Sequence, residues 1–141
     1  MSFSIDGKTV IVTGAANGIG AALARHFAEN GANVMCADID EKALKKDLGE
    51  SADDSNVGYF AGDLREKLTL ANLLSATVDA FDRVDVLVNA SRQMATTDPL
   101  DMDDETVEKL LQQNLMTSLR LSQMVAKRMI KQDEEQDHEF A

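Results

Sequence analysis

The 141-residue sequence predicts an α/β fold, a parallel sheet with helices on its faces, and three observations carry that expectation. The apolar, β-branched run Thr9-Val10-Ile11-Val12 leads into the glycine-rich stretch Thr13-Gly14-Ala15-Ala16-Asn17-Gly18-Ile19-Gly20, after which Ile19, Leu23 and Phe27 recur at helical spacing. Short apolar runs then alternate with longer amphipathic segments. In the last of these runs, Val84-Asp85-Val86-Leu87-Val88-Asn89, Val86 to Val88 are apolar on successive residues, the pattern of a parallel strand covered on both faces.

Length and composition bound the reading. One domain spanning 1–141 is expected, and 44% hydrophobic with 28% charged residues is ordinary globular composition. No apolar run approaches the ~20 residues of a membrane span. The start, Met1 to Lys8, has neither a basic nor an apolar export segment, so a cytoplasmic protein is expected. The single cysteine, Cys36, lies in an apolar run and reads as a small buried hydrophobe. A net charge of −11 disfavours nucleic acid and anionic membrane as partners, because like charges repel.

The first strand, Lys8 to Val12, feeds the glycine turn. Strand, glycine turn and helix form the order a dinucleotide site requires: glycines let the backbone turn sharply and approach a pyrophosphate, and the helix start presents unpaired N–H groups to it. The helix runs from about Gly18 to Asn30, ended by Gly31 in the left-handed position. His26 on this helix has no second ligand at metal spacing and reads as structural; no metal site is expected. The second strand, Asn33 to Ala37, closes on Asp38, which lies 18 residues after Gly20. A dinucleotide fold places an acid there against the adenosine ribose, and a carboxylate favours NAD over a 2′-phosphate. No arginine follows Asp38 or sits in the glycine turn. Asp40 is an equally good N-cap for the helix that follows.

That helix spans Glu41 to about Glu50 and precedes a polar loop, Ser51 to Asn56. Val57 to Ala61 is a third strand, ending in Gly62-Asp63-Leu64. A helix from about Glu66 to Phe81 follows, with Leu70, Leu73, Leu74, Val78 and Phe81 inward. After the fourth strand and a loop holding Pro99, a last helix extends from about Asp103 to Gln132, acidic in its first turn and basic later, as the helix dipole favours. On it Leu111, Asn114, Ser118, Leu121 and Val125 form one stripe interrupted by a single amide. A buried Asn114 either satisfies loose backbone groups of the neighbouring strand or organises an active site. Leu115, Met116 and Leu119 project from a second side, suited to an oligomer contact. The acidic run from Gln132 to Glu139 reads as a solvated loop or frayed end.

Taken together, these residues resemble the short-chain dehydrogenase/reductase family along essentially the whole chain. Thr13-Gly14, Gly18 and Gly20 are similar to its dinucleotide fingerprint, with Ala16, Asn17 and Ile19 inside the same turn. Asp38 matches its NAD-selecting acid, and Asp63-Leu64 the pair that cradles adenine. Val86-Leu87-Val88-Asn89 with Ala90 resembles the start of its Asn-Asn-Ala-Gly strand end, and Asn114-Leu115 its catalytic-helix asparagine. The resemblance implies a three-layer, Rossmann-type doubly wound sheet of order 3-2-1-4, a small alcohol or carbonyl substrate, and a homo-oligomer.

Two departures qualify what it implies. Ala90-Ser91-Arg92 follows Asn89, so the motif's second Asn is absent and Arg92 stands in place of its glycine. The family's proton donor, a Tyr-x-x-x-Lys pair with a serine, comes after the helix bearing Asn114; here the single tyrosine, Tyr59, has Asp63 four residues on. Hydride transfer at a carbonyl carbon needs such a proton donor. The expectation is therefore the cofactor-binding half of an NAD-dependent oxidoreductase, incomplete relative to the family fold, with Val84 to Val88 as an unpaired edge. The alternative is a naturally truncated, non-catalytic nucleotide-binding module or one that pairs through that edge.

Overall fold

The strand Thr9–Thr13 (β1) is buried along its whole length and forms the centre of the sheet, pairing in parallel with Asn33–Asp38 (β2) on one side and Val86–Asn89 (β4) on the other. Val57–Ala61 (β3) pairs in parallel with β2, so the order is β3-β2-β1-β4, as expected. The computed structural model describes residues 3–48 and 56–139. Its helices are Gly18–Glu29 (α1), Glu41–Leu48 (α2), Lys67–Phe81 (α3), Asp104–Leu111 (α4) and Thr117–Glu139 (α5), with a π-helical segment, Gln112–Met116, joining the last two.

Alternation along the strands divides the core into two layers. Val10, Val12, Val34 and Cys36 point to one face, where Ala24 of α1 and Leu44 of α2 cover them. Ile11, Met35 and Ala37 point to the other, against Leu70 and Leu73 of α3 and Leu121 and Val125 of α5. Cys36 is fully buried, and loss of hydration pushes its thiol pKa up to about 12, so it is packed as a hydrophobe.

Several boundaries differ from the sequence reading. Strand β1 starts one residue later, at Thr9, and β2 takes in Asp38. The C-terminal end of α1 is as expected: Asn30 closes it and Gly31 has φ +86°. The α2 end at Glu50 and the loop from Ser51 to Ser55 lie outside the described residues. Strand β4 starts at Val86, not Val84, because side chains take the preceding backbone groups. The Asp85 carboxylate, ion-paired to Arg83, accepts the Thr9 N–H at 2.9 Å, and the Asp85 N–H donates to the Thr9 carbonyl.

The largest corrections concern the C-terminal third. The last helix is not one regular element: the π segment inserts an extra residue into the helical turn, and the Thr117 N–H bonds back to the Gln112 carbonyl. This shifts the stripe's register, so Leu121 and Val125 are buried while Leu111 is 51% exposed and Asn114 is exposed. Of the two readings for Gln132 to Glu139, the loop is excluded: the run is the end of α5, with Asp133 to Asp137 exposed as expected. Gln132 is its anchor. The side-chain carboxamide accepts from the Val84 N–H and donates to the Val84 carbonyl, both at 2.9 Å, and its oxygen also accepts from Arg128 Nε. The expected unpaired edge is thus covered at Val84 by an amide that imitates a neighbouring strand. Beyond it, among the described residues, no strand pairs with the outer side of β4.

Candidate functional site

The carboxyl ends of β1, β2 and β4 open into one cleft of about 720 Å³. Its walls bring together Gly14, Asn17, Gly18, Ile19 and Gly20 from the turn, Asp38 from β2, Asp63 and Leu64 after β3, and Asn89 and Ala90 after β4. Two expected site residues, Ala16 and Asn114, are not on the wall.

The glycine turn is shaped by close backbone approach. Gly14 has φ +67°, and a Cβ there would sit 2.7 Å from the Ala90 carbonyl oxygen and 2.8 Å from Ser91 Cα. Only glycine allows the turn and the loop after β4 to touch in this way. A Cβ on Gly20 would run into the Gly14 carbonyl, so the first turn of α1 packs directly on the backbone that precedes it. Thr13 fixes the same junction. Its hydroxyl oxygen accepts from the Ala90 and Ser91 N–H groups, each at 3.2 Å, and the hydroxyl donates to the Val88 carbonyl. Nothing in the local pattern marks Thr13 for this role, since its partners lie 77 and 78 residues away.

Asp38 ties the turn to β2. One carboxylate oxygen accepts from the Ala16 N–H at 3.1 Å, the other from the Asp40 N–H at 3.0 Å. The Ala16 donor is therefore directed inward, and Ala16 is buried beneath the wall. The cap of α2 is Asp40, whose Oδ1 accepts from the Ala43 N–H, so the capping role weighed beside Asp38 falls to Asp40. Beside Asp38, Ile39 lies 67% exposed on the cleft wall and offers an apolar surface.

Asp63 has a partner that the sequence reading missed. Arg65 Nε and Nη2 donate to its carboxylate at 2.6 to 3.1 Å, and the Arg65 N–H adds a bond at 3.0 Å. These side-chain hydrogen bonds, more than the charge of Arg65, hold the Asp63 carboxyl below its ordinary pKa. The sequence signal was available: an arginine two residues after an acid at a strand end can fold back on it. The Leu64 side chain is core, and its carbonyl is an acceptor for the Thr117 hydroxyl.

On the far wall, the Asn89 side chain donates to Ser122 Oγ of α5 at 3.0 Å. Asn114, in the π segment, pairs with the loop after β4: its Oδ1 accepts from the Gln93 N–H and its Nδ2 donates to the Gln93 carbonyl, both at 2.8 Å. Of the two roles weighed for this amide, the satisfaction of backbone groups is thus realised, on the loop and not the strand. Gln113, beside it, reaches the cleft and donates to Ser91 Oγ.

Residues 8–136 match the family model for short chain dehydrogenases. The chain belongs to that family. It is 34% identical over 128 residues to an oxidoreductase of Thermotoga maritima, covering 90% of this chain and 50% of that protein. It is 30% identical over 128 residues to an NAD-dependent glycerol dehydrogenase of Listeria innocua, with 91% and 50% covered. The crystal structure of a short chain dehydrogenase from Mycobacterium smegmatis superposes with a TM-score of 0.82 at 30% identity, covering 89% of this chain and 52% of that one. The chain spans about half the length of the curated relatives it matches.

For a short chain dehydrogenase, the described portion is the sheet half that carries the glycine turn and the acids at the ends of β2 and β3. No helix among the described residues is long and apolar enough to cross a membrane.

Proposed function

We propose that this chain, as a single unit over 1–141, is the NAD-binding half of an oxidoreductase that moves hydride between NAD(H) and a small alcohol or carbonyl compound. The observation that carries the reading is Asp38: a carboxylate at the end of β2, on the wall of the cleft that the glycine turn also lines. Its acceptor lone pairs suit two ribose hydroxyls, whereas a 2′-phosphate there meets like charge.

The cleft fits a dinucleotide on its own geometry. Gly14 and Gly20 let the turn pack against the loop after β4 and the start of α1, the space where a Cβ on Gly18 would stand is open, exposed Ile39 gives an apolar face for a base, and Asp63 with Leu64 borders the same end. In this reading Asn17, Gly18 and Ile19 face the pyrophosphate, Ala16 acts through Asp38, and Asn89 and Ala90 border the nicotinamide end. When bound, the nicotinamide supplies the hydride. Asn114 positions the Gln93 backbone at the edge of the site. The proton that must move with the hydride needs a donor of the Tyr-x-x-x-Lys kind, which this sequence does not carry. The family resemblance puts that donor beyond the helix bearing Asn114. Leu115 of the π segment and Leu119 of α5, 56% and 46% exposed, support self-association along this side of the helix. A cytoplasmic location completes the reading.

Titration of the full chain with NADH and NADPH, followed by nicotinamide fluorescence, tests it. NADH is expected to bind at least tenfold more tightly, and Asp38→Asn to narrow the gap by relieving the repulsion. Equal affinity of the unaltered chain for the two cofactors refutes the assignment of Asp38.

A further inference from the structure

We propose that Arg92 is the side-chain cation that holds the pyrophosphate of the dinucleotide, an inference that rests on the dinucleotide reading of the cleft. The chain carries a net charge of −11, and the cleft wall itself includes Asp38 and Asp63. A dianionic pyrophosphate entering this field is opposed unless a local cation compensates. Two arginines line the cleft, Arg65 and Arg92. The Arg65 guanidinium is committed to Asp63 by three hydrogen bonds. Arg92 is different: among the described residues no carboxylate pairs with it, and its side chain donates only to the Met94 thioether at 3.4 Å, a weak acceptor that a phosphate oxygen displaces readily.

Its place in the chain points the same way. Ser91 Cα lies where it would touch a Cβ on Gly14, so Arg92 leaves the loop one residue beyond the point where that loop meets the phosphate turn. On the Arg92 side of the cleft the Ala90 and Ser91 N–H groups are taken by Thr13, and the Ala16 N–H by Asp38. The start of α1 then supplies partial charge through its backbone N–H groups, and Arg92 is the lining cation without a carboxylate partner that can supply a full one. The family motif has glycine at this position. In this chain an arginine side chain is available where the motif would offer only backbone.

The test compares Arg92→Gln and Arg92→Lys with the unaltered chain in calorimetric titrations against NADH, ADP-ribose and adenosine, at low and high salt. Arg92 is exposed, so folding is not at stake. R92Q is expected to weaken NADH and ADP-ribose by roughly tenfold or more, the scale of one charge-assisted contact, and to leave adenosine unchanged. Its ADP-ribose affinity should also depend less on salt, and R92K should recover part of the loss. Unchanged ADP-ribose affinity in R92Q overturns the proposal, as does an equal loss for adenosine; a loss confined to NADH places the arginine away from the pyrophosphate and also overturns it. An unaltered chain that binds neither NADH nor ADP-ribose instead overturns the dinucleotide reading beneath it.

Discussion

Replacing Gln132 by leucine isolates the contact that closes the edge of the sheet. Val84 is fully buried, and its N–H and carbonyl are both bonded to the Gln132 carboxamide at 2.9 Å. Leucine has similar volume but neither donor nor acceptor, so two backbone groups lose their partners at once. An unsatisfied buried polar group costs about 1–3 kcal/mol. Partial access for water lowers the sum, giving an expected loss of roughly 2–4 kcal/mol. Against the ~5–15 kcal/mol of an ordinary domain this is a large fraction. Equilibrium unfolding in urea measures it, with Gln136→Leu, at an exposed position four residues along α5, as the control expected to stay within about 0.5 kcal/mol. A Gln132→Leu variant as stable as the control refutes the argument.

Gly14→Ala is expected to cost more than its size suggests. A left-handed φ of +67° penalises any Cβ, by about 1–2 kcal/mol, and the atoms it meets are Ala90 and Ser91 backbone that cannot rotate away. Unfolding midpoint and NADH affinity should fall together; a variant with both intact refutes the close approach. Arg65→Ala tests the Asp63 contact through pH. Because the Asp63 carboxyl is depressed in the fold, chiefly by Arg65 hydrogen bonds, its contribution is present above the unfolded-state value and lost as pH falls through the folded one. Stability measured across the acid range should drop less steeply in the variant, and a slope identical to that of the unaltered chain contradicts the assignment.

The fold and much of the cleft wall were legible because they depend on short-range pattern. Alternation fixed which face Val10, Ile11 and Val12 serve, and the strand–glycine–helix order placed Gly14, Gly18 and Gly20 at a carboxyl end where Asp38 and Asp63 also arrive. The C-terminal third was misjudged for an equally physical reason. Periodicity assumes a regular helix, and one extra residue in the turn at Gln112–Met116 rotates everything beyond it, moving Asn114 out of the stripe it shares in sequence with Leu121. Composition marked Gln132 to Glu139 as solvated, which holds for the exposed Asp133 to Asp137, but one glutamine carries no signal and the anchor at Gln132 was not legible.

The sequence by itself determined the order of elements, the position of the turn and the acids at strand ends, all set within windows of a few residues. Only the tertiary structure decided how those parts are held: Thr13 on Ala90 and Ser91, Asp38 on Ala16, Arg65 on Asp63, Asn114 on Gln93 and Gln132 on Val84. Each is a polar side chain that satisfies a specific group made available by the packing. Four of the five reach 21 residues or more along the chain, and Arg65, only two residues from Asp63, depends on which rotamer the cleft allows. Hydrogen-bond satisfaction is a property of a place in the fold, and the places exist only once the sheet has formed.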